Sequence, residues 1–292
     1  MAIRPATLPA SASGVIVGLG AARASGSAFR FDAALGCLAV ALLLQVAANL
    51  ANDLSDFRRG ADTPDRLGPT RVAAAGLVTV RQLVVAIAIV LAVAGLIGVG
   101  LAIIGGPAFV LVGAGAMLAA LAYTGGPFAY GYHGLGEVFV FAFFGLVAVV
   151  GTAALQSGRL EPLYFVAAVP VGALTTAILV VNNLRDISTD RAAGKRTLAV
   201  MIGGDFARAE YLACLAIAWA IPPALVAARL LGRSDFAAPA TLLALLAIPL
   251  AIPLWRTIQA EGDPRRLNLV LRGTARLTLV FALLFAAGLA VR

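Results

Sequence analysis

The chain has 292 residues, of which 61% are hydrophobic and only 12% charged, about half the charged share of an ordinary soluble domain. So little polar material cannot cover a water-facing surface, which excludes a soluble globular fold and requires lipid as the solvent. The formal net charge of +8 would by itself suit a nucleic-acid binder, but the charges sit in short loops between apolar runs, which excludes that class too.

Nine apolar runs have about the length that crosses a hydrocarbon core as a helix: 8–22, 32–52, 82–104, 107–123, 135–156, 162–182, 208–231, 236–255 and 269–290. The expected fold is all-α, one polytopic membrane domain over residues 1–292. The first run is short, broken by Ser11, Ser13 and glycines, and preceded by Arg4. It could pass for a signal peptide, but it is poorly apolar and Pro5 and Pro9 crowd its start, so it reads as a span. Abundant Gly and Ala suit helices that pack closely in lipid. Cys37 and Cys214 fall inside apolar runs and read as small buried hydrophobes, without disulfide or zinc spacing. His133, the only histidine, lies in the loop after the fourth run and reads as a loop hydrogen-bonder.

The amino terminus and the loops after runs 2, 4, 6 and 8, together with Arg208, carry 16 of the 22 basic residues. The positive-inside rule makes that side cytoplasmic. The amino terminus is then inside, and nine crossings leave the carboxyl terminus outside.

Two polar segments stand out, each at the cytoplasmic end of a run. The first is Asn49-Leu-Ala-Asn52-Asp53-Leu-Ser-Asp56, continuing through Arg58, Arg59 and Arg66. The second is Asn182-Asn183-Leu-Arg185-Asp186-Ile-Ser-Thr-Asp190, continuing to Lys195-Arg196. Asp53 and Asp56 are three apart and Asp186 and Asp190 four apart, so each pair shares a helical face. Neighbouring carboxylates repel, and they persist beside a membrane when a cation lies between them. Mg²⁺ accepts such carboxylates and completes its shell with water and substrate phosphates. Asn49 and Asn182 each precede the first aspartate of a pair by four residues, where an amide carbonyl adds a neutral ligand or orients a carboxylate. Two Mg²⁺ would balance the four aspartates, and an added diphosphate would need further cations. Arg58, Arg59, Arg66, Arg185, Arg191, Lys195 and Arg196 supply them. Lys195, the only lysine among 21 arginines, hints at a point-charge phosphate contact. The segments lie four runs apart on one face, as a duplicated unit of runs 1–4 and 5–8 with a ninth run appended would place them.

These residues resemble the UbiA superfamily of intramembrane prenyltransferases, whose members carry an NDxxD-type motif after the second span and a DxxxD motif after the sixth. The stretches 52–69, 123–152 and 182–200, and Arg4-Pro-Ala-Thr-Leu-Pro-Ala, are similar to its menaquinone-pathway branch. The resemblance implies nine helices around a central cavity, capped by cytoplasmic loops. It implies Mg²⁺-dependent transfer of a polyprenyl group from polyprenyl diphosphate to 1,4-dihydroxy-2-naphthoate, with loss of CO₂ and diphosphate, giving demethylmenaquinol. Carried over by motif, Asp53, Asp56, Asp186 and Asp190 are metal–diphosphate residues. Asn49, Asn52 and Asn182 support them, while Arg66, Lys195 and Arg196 bind diphosphate. Tyr123 lies where related enzymes place an aromatic side chain near the reacting allyl unit; an interfacial tyrosine is the plainer reading. Glu137, an ionisable group near the start of the fifth run, is a further candidate. The stretch departs from the branch at Ala129, where a proline is expected, and at Ala153-Ala154, where larger side chains are expected.

The expected setting is a bacterial or archaeal cytoplasmic membrane, with membrane lipid as surroundings, no nucleic acid and no protein partner. Two other readings compete: a prenyltransferase acting on 4-hydroxybenzoate, homogentisate or a related acceptor, and a cation-coupled transporter. Transporter ion sites favour the bilayer midplane, whereas these aspartates stand at span ends beside basic loops.

Overall fold

In the computed structural model of the chain, the residues described are 3–60, 67–68, 71–233, 239–260 and 263–291. The membrane-scale helices are α1 (Leu8–Ala24), α2 (Phe31–Arg58), α3 (Val80–Gly105), α4 (Ala108–Ala122), α5 (Gly136–Ser157), α6 (Pro162–Arg185), α9 (Gly204–Leu230), α10 (Pro239–Gln259) and α11 (Leu267–Ala290). Two short surface helices, α7 (Ile187–Ala192) and α8 (Leu198–Ile202), link α6 to α9. These nine match the nine apolar runs. Among the described residues, eight have 18 residues or more, α1 once the turn Pro5–Thr7 that leads into it is included, and are long and apolar enough to cross a membrane. The exception, α4, has 15 residues and at 1.5 Å per residue falls short of a core of about 30 Å.

Start and stop signals explain the boundaries. Thr79 and Gln82 form a reciprocal capping box at the head of α3, and Pro162 opens α6 at a position that needs no N–H donor. Both aspartate-bearing segments end on a left-handed glycine, Gly60 (φ 65) and Gly194 (φ 71). Each glycine donates its N–H three residues back, Gly60 to Phe57 O and Gly194 to Arg191 O. A side chain would be strained at either turn.

Helix α6 is the central post. Tyr164, Val171, Leu174 and Val181 are fully buried along it, and α1, α5, α9 and α11 pack around it. By contrast α3 is peripheral, with Leu96 and Ile103 exposed as lipid-facing residues are. Small residues set the close approaches: a Cβ at Gly18 of α1 would lie 2.6 Å from Val149 O, and one at Gly145 of α5 would lie 2.7 Å from Gly172 Cα on α6. Helix α5 is not α-helical throughout. Phe141–Val147 is a π-helix between two α segments, a wider turn that recurs at functional sites, and it turns Phe143, Phe144 and Val147 toward an internal cavity.

Candidate functional site

The last turns of α2 bury Asn49, Asn52, Asp53 and Asp56 together. Asp56 is 1% exposed and is satisfied from three separate segments. Arg71 Nη2 donates to its Oδ2 at 2.6 Å, while Tyr132 Oη and Lys195 Nζ donate to its Oδ1 at 2.7 and 3.1 Å. Asp53 Oδ2 accepts the backbone N–H of Val72 at 3.1 Å, and Asn52 Oδ1 accepts the Thr124 hydroxyl at 2.7 Å. Asn49 donates to Ile3 O and to Thr7 Oγ1 at 3.0 and 3.3 Å, which holds the amino-terminal segment against α2.

At the end of α6, Arg185 grips Asp186 with both ends of its guanidinium, Nε to Oδ1 at 2.8 Å and Nη2 to Oδ2 at 2.5 Å. The same guanidinium donates to Asn182 Oδ1 and to Asn268 Oδ1 on α11, and Asn268 Nδ2 in turn donates to Leu67 O. Arg185 is therefore not the phosphate-facing loop cation expected from the sequence. It is 2% exposed, because a planar fork beside a carboxylate in a low-dielectric place makes a strong bidentate pair. Asp190 lies on α7, buried, with Lys195 Nζ 3.8 Å away.

Lys195 thus reaches carboxylates of both motifs. Its ammonium also stands 4.9 Å from the centroid of the Tyr132 ring, against which the Arg59 guanidinium packs at 4.7 Å. Burial pushes the Tyr132 phenol well above its ordinary range, and the Asp56 charge adds to the effect. The group stays protonated at neutral pH and remains a donor. Burial raises the Tyr123 phenol likewise, with Glu137 the next contributor; its ring meets Tyr130 edge-on at 5.4 Å.

These groups form the polar end of a cavity of about 360 Å³. Asn49, Asn52, Asp56, Arg71, Tyr123, Asn182, Asp186, Asp190 and Lys195 lie on its wall, with Arg4, Ser11, Gln45, Asn183 and several threonines. The rest of the lining is mostly apolar, with Val15, Cys37, Leu101, Phe109, Phe143, Phe144, Val147 and Leu155. Of the other residues expected at the site, Asp53 faces Val72 and is off the wall. Arg196 is exposed and joins the site through its backbone N–H to Tyr132 O at 3.0 Å. Arg66 lies outside the described residues. Glu137 is buried behind the wall, with Oε1 accepting from Asn183 Nδ2 at 2.8 Å. Ala153 and Ala154 are also off the wall, so they do not widen the cavity. Ala129 has φ −73, within the range a proline imposes, and makes the same turn without the ring. His133 accordingly bonds within its loop, Nδ1 to Ala129 O at 2.9 Å.

Arg71, Tyr132 and Thr124 escaped the sequence reading. Arg71 is one arginine in a basic loop, and Tyr132 one aromatic in a Gly-rich stretch; nothing local marks either as a partner of Asp56.

Among the described residues, no three acidic, His or Cys side chains converge tightly enough to cage a metal by themselves. The donor set is instead one carboxylate from each motif, Asp56 and Asp190, meeting at one ammonium, with Asp186 beside them on the wall. Mg²⁺ binds through one or two carboxylates and completes its shell with phosphate oxygens and water. The residues therefore fit Mg²⁺ held jointly with a phosphorylated ligand, while Lys195 and Arg71 stand ready as phosphate donors.

The profile of the UbiA prenyltransferase family matches residues 13–280. The chain is 41% identical to the 1,4-dihydroxy-2-naphthoate octaprenyltransferase of Mycobacterium tuberculosis, over 98% of this chain and 94% of that protein. It is 37% identical to the protein of the same name from Escherichia coli K12, over 98% and 93%. Among solved structures, the apo form of a UbiA homolog from Aeropyrum pernix shares the fold at a TM-score of 0.69 and 21% identity, over 96% of this chain and 97% of that one. A UbiA homolog from Archaeoglobus fulgidus bound to DMAPP and Mg²⁺ does so at 0.66 and 16%, over 99% and 98%.

Proposed function

This chain belongs to the UbiA prenyltransferase family, and from that membership and the cavity described above we propose that it transfers a polyprenyl group to 1,4-dihydroxy-2-naphthoate. The observation that carries the reading is the convergence of both aspartate motifs and Lys195 on the polar end of a cavity that is otherwise mostly apolar. The relatives' names supply the acceptor, and the Archaeoglobus homolog with DMAPP and Mg²⁺ supplies the donor and metal by analogy.

Asp53, Asp56, Asp186 and Asp190 would hold Mg²⁺, two ions in this reading, which when bound would supply positive charge against a departing diphosphate. Asp53 joins through a turn of its side chain away from Val72. Lys195 and Arg71 exchange part of their contact with Asp56 for phosphate oxygens, and the exposed Arg196 adds charge beside them, while Arg66 is carried over from its motif alone as a further diphosphate cation. Asn182 steadies Asp186 through Arg185, while Asn49 and Asn52 tie the amino-terminal segment and Thr124 to the aspartate-bearing end of α2. Tyr123 presents its ring to the allyl unit, where an aromatic face stabilises positive charge. The apolar walls house the isoprenoid and exclude water that would otherwise trap the cation. In the transfer, the prenyl C–O bond breaks and a bond forms to the ring carbon that bears the carboxylate. That carboxylate leaves as CO₂, and its bonding pair restores aromaticity, so the ring carbon loses no proton and needs no base.

Purified protein given a polyprenyl diphosphate and 1,4-dihydroxy-2-naphthoate labelled in the carboxyl carbon is expected to release labelled CO₂ in step with diphosphate. Retention of label in the prenylated product, or turnover of 4-hydroxybenzoate in preference to the naphthoate, would assign another branch of the family.

The positive-inside asymmetry puts the mouth of the cavity on the cytoplasmic side, with the amino terminus inside and the carboxyl terminus outside. Single cysteines at Gly60→Cys and Gly194→Cys, in a background lacking Cys37 and Cys214, are expected to react with an impermeant maleimide only when the cytoplasmic face is accessible. Labelling from the outer face of intact cells would reverse the orientation.

A further inference from the structure

A second cleft, of about 290 Å³, opens where the start of α9, the end of α10 and the start of α11 meet behind the end of α6. Three arginines line it, Arg208 from α9, Arg256 from α10 and Arg266 from the short turn Pro264–Arg266 that leads into α11, with Asp263 as the lining carboxylate among the described residues. Arg208 is fixed in place, Nε donating to Ile258 O at 3.1 Å and Nη1 to Asp205 Oδ1 at 2.7 Å. Asp263 is engaged in its own turn, its Oδ1 accepting the Arg265 N–H at 2.9 Å. Arg256 and Arg266 are exposed and form no ion pair among the described residues. Like charges gathered around a concavity repel one another, and an anion placed among them relieves that repulsion.

We infer that this cleft binds the phosphate headgroup of an anionic phospholipid. The level of the cleft favours a lipid over a free anion. Leu184 forms part of its wall and is the neighbour of Arg185, so the cleft lies at the membrane face where the aspartate motifs end. One turn deeper on the same helical faces, Leu212 follows Arg208 by four residues and Ile252 precedes Arg256 by four. Both are about half exposed. A charged pocket above an outward-facing apolar surface matches a headgroup with its acyl chains below it, and basic pockets between membrane helices take such headgroups. The cleft shares no side chain with the cavity: its walls at Leu184 and Leu267 lie one residue from Arg185 and Asn268, which face the other way.

The test uses the full-length protein in neutral detergent, titrated with dioleoyl-phosphatidylglycerol or dioleoyl-phosphatidylcholine and followed by native mass spectrometry and thermal unfolding. Phosphatidylglycerol is expected to stay bound and to raise the unfolding temperature, with phosphatidylcholine doing neither. The double variant Arg256→Gln/Arg266→Gln should bind phosphatidylglycerol roughly thirtyfold more weakly, having lost two basic contacts. Arg256→Lys/Arg266→Lys, which keeps the charge, should retain most of the binding. Equal binding of the two lipids, or full binding by the double glutamine variant, would overturn the assignment. So would an inorganic phosphate titration that matches the phosphatidylglycerol shift, since that would mark a site for free anions.

Discussion

Asp190→Asn and Asp56→Asn are each expected to lower turnover by about three orders of magnitude, the scale on which removing a dedicated electrostatic contact acts in a desolvated site. Asparagine keeps the shape but loses the charge that a divalent ion requires. Asp190 is the cleaner of the two, because Lys195, 3.8 Å from it, still has Asp56 at 3.1 Å when the Asp190 charge is gone. At position 56 the buried Arg71 loses its 2.6 Å partner, and stranding a buried charge is costly. The position 56 variant should therefore also unfold at lower temperature. Activity is read as diphosphate release in detergent, and folding as a monodisperse chromatographic profile. EDTA should abolish wild-type turnover and Mg²⁺ restore it. Asp190→Asn within a few-fold of wild type would remove that residue from the metal–diphosphate site.

Lys195→Gln should cut kcat/KM for the prenyl diphosphate by about a hundredfold, near 2.7 kcal/mol of lost transition-state stabilisation. The ammonium reaches a carboxylate of each motif, Asp56 and Asp190, so its loss removes a phosphate contact and a tie between the two motifs. Asp56 keeps Arg71 and Tyr132 in the variant, so the fold should survive. Lys195→Arg should recover only part of the activity. A guanidinium is planar and longer than an ammonium, and the space above the Tyr132 ring is shared with Arg59. The KM for the aromatic acceptor should change little in either variant. Equal losses with glutamine and arginine would point to steric fit in place of charge.

Short-range regularities in the chain carry a good deal of this. The apolar runs name the helices, because a backbone in lipid must satisfy its own N–H and C=O groups and the helix does so locally. The aspartate pairs are legible at spacings of three and four, because a helix places those positions on one face. Gly60 and Gly194 mark the turns that end the motif segments for an equally local reason.

The tertiary structure alone decides which way each polar side chain faces and what it meets. Arg185 looks like any loop cation, yet it is buried on Asp186 and Asn268. Asp53 shares a helical face with Asp56, yet it takes a backbone N–H from Val72 while Asp56 collects Arg71, Tyr132 and Lys195 from positions 15, 76 and 139 residues away. The short α4, the π-helical middle of α5 and the cavity they border likewise depend on how helices press together through glycines such as Gly145 and Gly172. Spacing along a helix repeats within a few residues and can be counted in a sequence. Pairing across a bundle depends on distances between segments far apart in the chain, and those exist only once the helices have packed.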